Sequence, residues 1–404
     1  MSHNGRRVGL IFGGTSSEHL ISVASARGVA EALDDLGCDI RLVRIDRSGV
    51  WRIVSSVDVP DDESSDDGRA DDADPSTAPP IGPQPALLRD LDVVFPVLHG
   101  VGGEDGTVQG LLELLGIPYV GCGVLSSALA MDKLMTSRLL AADGLPVIPT
   151  RCVTSVDDAD DVVRGLDFPV FVKPNRAGSS VGASRVDSAA GLYAAVGAAL
   201  AEDSTALIQP VVSGAEVSIG VLQYSDGTVA ATGPSLLHLG DGQQFFSYDG
   251  KYGGGQTRLQ IPAPLPATLI ATLQNLAIAA FESINGTGLA RVDFFVEGVD
   301  VADDTDSAPH IVINEINTLP GLGRTSHYPR LWQAAGVTHT DLVGELLATA
   351  LRGAADTRSA KVSRPAGDVS AGGVSAARGG VSAGGAIAGA AASVRAGVAP
   401  AGSS

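Results

Sequence analysis

The most constraining feature of this 404-residue chain is an alternation near its start. "RRVGLIFGG" is a short apolar run closing on glycines. "TSSEHLISVASARGVAEALDDLG" follows with apolar residues at helical spacing, and "DIRLVRID" and later "LDVVFPVLHG" are again short apolar runs. A strand, a helix and a second strand in that order close most simply as a parallel pair with a right-handed crossover. The pattern therefore predicts an α/β fold that opens with a parallel sheet and gathers ligand groups at the carboxyl ends of its strands. Thr15 and Glu18 have the spacing of a capping box, and Gly37 that of a helix stop.

The texture changes after "GIPYVGCG". "SSALAMDKLMTSRLLAADG" reads as one helix, "FPVFVKP" as a strand, and Leu207 to Leu222 as strands broken by Gly/Ser turns. "PATLIATLQNLAIAAFESIN" is a long helix, "GLARVDFFVE" and "HIVINEINTLPG" are expected to pair, and "THTDLVGELLATALRG" is the last expected packed element. Beyond Gly353 the chain is Ala, Gly, Ser and Val with little periodicity, which predicts a disordered tail. No internal repeat is visible.

With 44% hydrophobic and 18% charged residues, the composition is that of a globular protein. A formal charge of −19 argues against a nucleic-acid partner, since phosphate backbones are held by basic surface. Much of that charge sits in "DVPDDESSDDGRADDADP", Asp58 to Pro75, read as a solvated insertion. Cys38, Cys122 and Cys152 have neither zinc-site nor disulfide spacing and are read as reduced thiols. Arg6 and Arg7 precede a short apolar run, but no small-residue cleavage site follows. No stretch is apolar enough to span a bilayer, and a cytoplasmic location without membrane partners is expected.

The chemistry begins at "FVKPNRAGSSVGASRV". Lys173 precedes a Gly/Ser turn between two strand-like runs. Such a turn offers several backbone N–H groups to one anion, and the lysine adds a point charge. By itself the loop is equally compatible with a plain hairpin. Downstream, "ARVDFF" supplies Arg291 and Asp293, and "INEIN" supplies Glu315 and Asn317. Glu315 and Asn317, two apart on a strand, share a face. If Asp293 faces them across a strand pair, three oxygen ligands without imidazole or thiol converge, which is a site for Mg²⁺ or Mn²⁺. Two ordinary strands with polar outer faces are the other reading.

Taken with "IFGGTSSEHLIS", "LHGVGGEDGTVQGLLELLGIPYVG", "ALAMDK", "VKPNRAGSSVG", "SYDGKY" and "NEINTLPGLGRTSHYP", these residues resemble the D-alanine–D-alanine ligase family of the ATP-grasp superfamily. The motifs run in family order to about residue 350; only the acidic insertion and the tail fall outside. The resemblance implies an α+β ATP-grasp fold: an N-terminal open-sheet domain (1–121, with the insertion at about 55–85), a central subdomain (122–212) and a C-terminal subdomain (213–352). The two subdomains grip ATP between antiparallel sheets, and residues 353–404 are the tail.

By the same resemblance, Lys133 and Lys173 contact ATP phosphates and Lys251 reaches the terminal phosphate from a mobile loop. Glu216 holds the ribose. Gln209 stands where the family often has a glutamate near the adenine amino group. Asp293, Glu315 and Asn317 hold two Mg²⁺ or Mn²⁺ ions. ATP phosphorylates the first D-alanine, and the amine of the second attacks the acyl phosphate. Arg291 and the Gly321 N–H stabilise the oxyanion. Glu18 holds the first ammonium and, with Ser179 and Tyr252, forms a hydrogen-bonded set. Ser326 binds the second carboxylate beside His327, and His99 either lines the first-substrate pocket or is structural. "FFSYDGKYGGGQT" is the expected lid, and Tyr252 favours an amine acceptor over D-lactate. The implied product is D-alanyl-D-alanine for peptidoglycan, and the implied assembly a homodimer.

Ala177 and Gly323 depart from the family's usual glutamate and threonine. Two other readings remain open at this stage: another ATP-dependent carboxylate–amine ligase, and a catalytically silent nucleotide-binding protein. The N-terminal motif pair argues against the first, and the intact Arg291, Asp293, Glu315 and Asn317 set against the second.

Overall fold

In the computed structural model, β1 (Arg7–Gly13) lies between two parallel neighbours, β2 (Asp39–Ile45) and β4 (Val93–Val97). A short β3 (Trp51–Val54), not anticipated from sequence, adds an antiparallel edge to β2, giving the order β3-β2-β1-β4. Residues 3–58, 82–159, 162, 164, 167–178, 181–238, 258–298 and 309–362 are described, with side chains to 354. The expected acidic insertion and Ala/Gly/Ser tail lie largely outside these ranges, as do Ser179, Lys251 and Tyr252. Residues 1–359 form one compact unit. Of a second, residues 360–404, only the end of one helix is described.

The crossover between β1 and β2 is helix α1 (His19–Asp35). Its buried Ser22, Val23, Ala26, Val29, Ala32 and Leu33 recur at helical spacing against the sheet. It ends as predicted: Gly37 takes φ +72°, its N–H donates to the Asp34 carbonyl, and the Cys38 N–H donates to Leu33. The start differs. Glu18, not Thr15, is the N-cap residue, and no side chain caps the helix there, so the capping box does not form. The chain leaves β1 through Gly13 at φ +93°, where a Cβ would lie 2.1 Å from the Ile45 carbonyl oxygen. That turn delays the helix past Thr15. Ser22 then ties sheet and helix together, accepting from the Gly13 N–H and donating to the Val97 carbonyl.

Two more sheets follow. β5 (Arg151–Val153), β6 (Val170–Pro174), β7 (Ser184–Val186) and β8 (Ala206–Pro210) form an antiparallel sheet of order β5-β8-β6-β7. It packs on helix α5 (Leu192–Glu202) through Val170, Val172, Leu192, Val196 and Ile208. β9 (Ala215–Gln223), β10 (Val229–Ala231), β11 (Ser235–His238), β12 (Arg258–Gln260), β13 (Leu289–Glu297) and β14 (His310–Asn317) form the other, with β9 and β13 central and β14 at one edge. Its core is completed by α6 (Ala267–Ser283), whose Leu269, Leu273, Ala277 and Phe281 are buried.

Earlier in the chain, α2 (Thr107–Leu115) follows the β4 turn. The stretch expected as one helix is two, α3 (Val124–Met131) and α4 (Lys133–Ala142). Asp132 breaks it, taking an extended conformation and accepting the Met135 N–H at 3.0 Å as N-cap of α4. The chain closes with α7 (His327–Ala334) and α8 (His339–Val362), the latter running past Gly353. Tyr328, Trp332, Leu342, Val343, Leu346 and Leu347 pack on the same apolar cluster as Phe12, Val29 and Phe95. The late helices are thus fused to the opening sheet, and the loop after β14 is drawn to the carboxyl ends of β1 and β4.

Candidate active site

That meeting point is a cavity of about 540 Å³. Many of the residues singled out from sequence line it, among them Glu18, Lys133, Glu216, Arg291, Glu315, Asn317, Gly321 and Ser326, together with His99. They come from the β1–α1 loop, the start of α4, β9, β13, β14 and the loop into α7, elements scattered along the chain.

The hairpin expected around Lys173 is present: β6 and β7 pair antiparallel. Lys173 itself is directed to Asn314 on β14, 3.4 Å from Nζ to Oδ1. Lys133 is the first residue of α4, and its Nζ donates to the Ala177 carbonyl in the hairpin loop at 2.8 Å. The departure at Ala177 leaves this bond intact, because only the backbone is used. Gln209 lies outside the main cavity, in an adjoining slot that it shares with Lys133 and Glu315.

The late strands pair as the sequence required. Asp293 stands opposite Glu315 and Arg291 opposite Asn317, with the register shifting just beyond, between Asp293 and Phe294. Asp293 is 2% exposed and sits beneath the cavity floor rather than on it. Arg291 clamps it in a two-point bond, Nε to Oδ1 at 2.8 Å and Nη2 to Oδ2 at 2.7 Å, and Asn317 donates to it at 3.0 Å. Burial opposes both charges. It is outweighed by their mutual attraction, helped for Asp293 by the Ser218 hydroxyl and for Arg291 by Glu315 and Glu216. Asp293 is held below the usual carboxylate range and Arg291 above its ordinary value. No group of three His, Cys, Asp or Glu suited to a metal occurs among the described residues. The set here is two carboxylates and an amide, all oxygen donors, whose chemistry fits a hard cation that also takes phosphate oxygens and water.

Glu18 faces the cavity between two loops. A Cβ on Gly100 would lie 2.9 Å from its Oε2, and one on Gly178 would lie 3.1 Å from the same atom. Both loops approach the carboxylate at positions without side chains, where a Cβ would press Glu18 aside. His99 is buried, with Nδ1 donating to the Leu319 carbonyl at 2.9 Å and Nε2 3.2 Å from the Ser25 hydroxyl. Burial lowers its pKa despite Glu18 and the Leu319 bond, so the ring is neutral.

Glu104 and Arg330 line the cavity without having stood out in the sequence, and His327 stood out only as the neighbour of Ser326. Glu104 accepts the Gly100 N–H at 2.9 Å and the Leu319 N–H at 3.1 Å. Leu319 is therefore held at both ends of its backbone, N–H by Glu104 and C=O by His99, and the strand-to-Gly321 loop is pinned to the turn after β4. Burial and the charge of Glu18 push the Glu104 carboxyl up to about 8, against those two N–H donors and Arg291. The signal lay in "LHGVGGEDG", but nothing local distinguished Glu104 from its acidic neighbour Asp105. His327 is partly buried, its Nε2 2.6 Å from the Ser235 hydroxyl; desolvation and Arg291 push it down to about 3, and it too is neutral.

Ser326 is the N-cap residue of α7, so the N–H groups of that helix and Arg330 face an anion placed there. The Ser326 hydroxyl crowds the loop: a Cβ on Gly321 would lie 3.2 Å from Oγ, and one on Gly323 3.1 Å. Taken together, the walls carry the Glu18 carboxylate, the cations Lys133, Arg291 and Arg330, a helix N-terminus and a cluster of oxygen donors.

The family described as "D-ala D-ala ligase N-terminus" matches residues 7–122, and "D-ala D-ala ligase C-terminus" matches residues 139–348. A D-alanine–D-alanine ligase of Kineococcus radiotolerans is 41% identical over 373 residues, covering 86% of this chain and 96% of the relative. One from Corynebacterium aurimucosum is 42% identical over 360 residues, covering 85% and 97%. Among solved structures, the D-alanine–D-alanine ligase of Coxiella burnetii superposes with a TM-score of 0.72 at 28% identity, covering 89% of this chain and 97% of that one. The VanG D-Ala:D-Ser ligase of Enterococcus faecalis gives 0.69 at 28%, covering 86% and 99%. With both halves matched in order and relatives above 40% identity over most of its length, this chain belongs to the D-alanine–D-alanine ligase family.

Proposed function

We propose that this chain ligates two D-alanines to D-alanyl-D-alanine at the expense of ATP, through an acyl phosphate, for peptidoglycan precursor synthesis. The observation that carries the reading is the joining, in one cavity, of Glu18 and Gly321 with Lys133, Glu216, Arg291, Glu315 and Asn317.

A carboxylate is a poor acyl donor, so its phosphorylation comes first. Lys133 and Lys173, with Lys251 from the lid, balance the charge of the triphosphate. Asp293, Glu315 and Asn317 hold Mg²⁺ or Mn²⁺, which when bound neutralises charge developing on the transferred phosphoryl group. Glu216 takes the ribose and Gln209 the adenine amino group. Glu18 fixes the first ammonium, supported by Ser179 and Tyr252. Ser326 and the α7 N-terminus orient the second carboxylate. As the second amine attacks, Arg291 and the Gly321 N–H receive the oxyanion; each such donor typically supplies about 3 kcal/mol. The neutral rings of His99 and His327 add no competing positive charge.

The domains proposed are residues 1–121, 122–212 and 213–352, supported by the three sheets, whose strands span 7–97, 151–210 and 215–317. No helix among the described residues is long and apolar enough to cross a membrane. We place the enzyme in the cytoplasm, with a role in maintaining cell shape through the wall. A homodimer is proposed, supported by exposed Leu114, Val124 and Leu125 on the neighbouring helices α2 and α3.

The test is ADP release with Mg²⁺ across D-alanine, L-alanine, D-serine and D-lactate. Turnover with D-alanine and loss on chelation are expected. Turnover confined to another carboxylate–amine pair would overturn the substrate reading, and no turnover at all the enzymatic one.

A further inference from the structure

Gln209 differs from a glutamate in a way that creates a problem for reading a base. A carboxylate accepts at both oxygens, whereas a carboxamide accepts at one end and donates at the other. Something must decide which end faces the ligand. The pairing of β5 with β8 sets Arg151 opposite Ile208, which brings Thr150, just before β5, beside Gln209. Thr150 Oγ1 lies 2.8 Å from the Ile148 carbonyl oxygen and donates to it. While that bond stands its single proton is in use, and toward Gln209 this hydroxyl accepts. The contact between them is 2.7 Å, Gln209 Nε2 to Thr150 Oγ1. Reversing the amide would either set two oxygens at that distance with no proton between them or turn the Thr150 proton away from the Ile148 carbonyl, so one hydrogen bond is lost either way, at a Gln209 that is 6% exposed. The relay Ile148–Thr150–Gln209 therefore leaves Oε1 as the free end of the amide of Gln209, a residue that lines the slot shared with Lys133 and Glu315.

We infer that Thr150 is a specificity-determining residue, locking Gln209 in the orientation that accepts from an exocyclic amine and rejects a 6-oxo base. This rests on the proposed placing of adenine against Gln209. Adenine presents N–H at its 6-position, and hypoxanthine presents a carbonyl that Oε1 would repel. Once the lock is removed, the amide can turn and donate Nε2 to that carbonyl.

The test is calorimetric binding of ATP and of ITP, each with Mg²⁺ and without D-alanine, to the full chain. Wild type is expected to prefer ATP. Thr150→Val and Thr150→Ala, both without the hydroxyl, should each cut that preference about tenfold, the effect of one buried hydrogen bond, while Thr150→Ser should keep it. Two hydroxyl-free variants guard against one failing to fold. Gln209→Ala separates the two layers. If it abolishes the preference while Thr150→Val and Thr150→Ala retain it, the lock is wrong and the adenine placement stands. If Gln209→Ala itself leaves the preference unchanged, the adenine placement is wrong.

Discussion

Arg291 and Asp293 lie two residues apart on one strand and close a two-point ion pair, with Arg291 lining the cavity and Asp293 buried beneath it. In the proposed reaction one group thus serves two ends: the guanidinium faces the oxyanion while its counter-charge belongs to the proposed metal ligands. Removing either partner leaves the other charged and poorly solvated, which typically costs about 3–5 kcal/mol of stability. For Arg291→Ala the expected result is a fall in kcat of about 10²–10³-fold, the loss of an oxyanion donor, with a lowered Tm. Arg291→Lys should recover stability better than activity, because an ammonium cannot reproduce the two-point geometry. Steady-state kinetics and thermal unfolding on the same preparations check both. Equal recovery of the two would contradict the dual role.

The gap that holds Glu18 makes a separable prediction. Gly178 and Gly100 both approach its Oε2, but only Gly100 has positive φ, +72°. Gly100→Ala should therefore lose stability by about 1 kcal/mol or more from backbone strain as well as disturb the site. Gly178→Ala should leave Tm nearly unchanged and raise KM for the first D-alanine, as Glu18→Gln should. Initial rates over a D-alanine series, which resolve the two binding events, decide it. An unchanged first KM in Gly178→Ala would mean the carboxylate has another place to go.

The sequence made some of this legible and not the rest, for physical reasons. Period-2 runs carrying Asp293, Glu315 and Asn317 could be placed on one face because strand geometry is local, and the observed register agrees. Gly37 could be read as a helix stop because positive φ is a single-residue property. The capping box failed because Thr15 and Glu18 have the right spacing, yet the chain spends those residues on a turn set by Gly13 and Gly14. Asp132 was read through as helix interior, although aspartate is as much a cap as a helix residue. Glu104 escaped because its importance comes from Leu319, 215 residues away, and no local pattern encodes that contact.

The Asp132 break is itself testable. Asp132 caps α4 immediately before Lys133, its first residue, so the cap sets where that lysine points. Asp132→Ala should cost about 1 kcal/mol and weaken ATP binding, with little effect on KM for D-alanine. Asp132→Asn, an equally good cap, should restore both. Urea unfolding and nucleotide calorimetry are the measurements, and a normal ATP affinity in Asp132→Ala would detach Lys133 from its cap.

Glu104 predicts a pH dependence of stability whose sign follows from its environment. Its carboxyl ionises near the ordinary 4.5 when unfolded, but is pushed up to about 8 in the fold by burial and by Glu18. Between those values the native state binds more protons than the unfolded state, so this group's contribution to stability declines as pH rises through the window. It is fully present only below the unfolded value. Glu104→Gln removes the titration, so the difference in unfolding free energy between wild type and variant should shift in the variant's favour from pH 5 to pH 8. A glutamine can accept from only one of the two N–H donors of Gly100 and Leu319, so the variant should also start less stable at low pH and lose activity through a loosened Gly321 loop. Saturating D-alanine should flatten the wild-type slope, because an ammonium brought to Glu18 draws the neighbouring carboxyl back toward ionisation. Parallel slopes for wild type and Glu104→Gln across that range would show that Glu104 does not hold its proton in the fold.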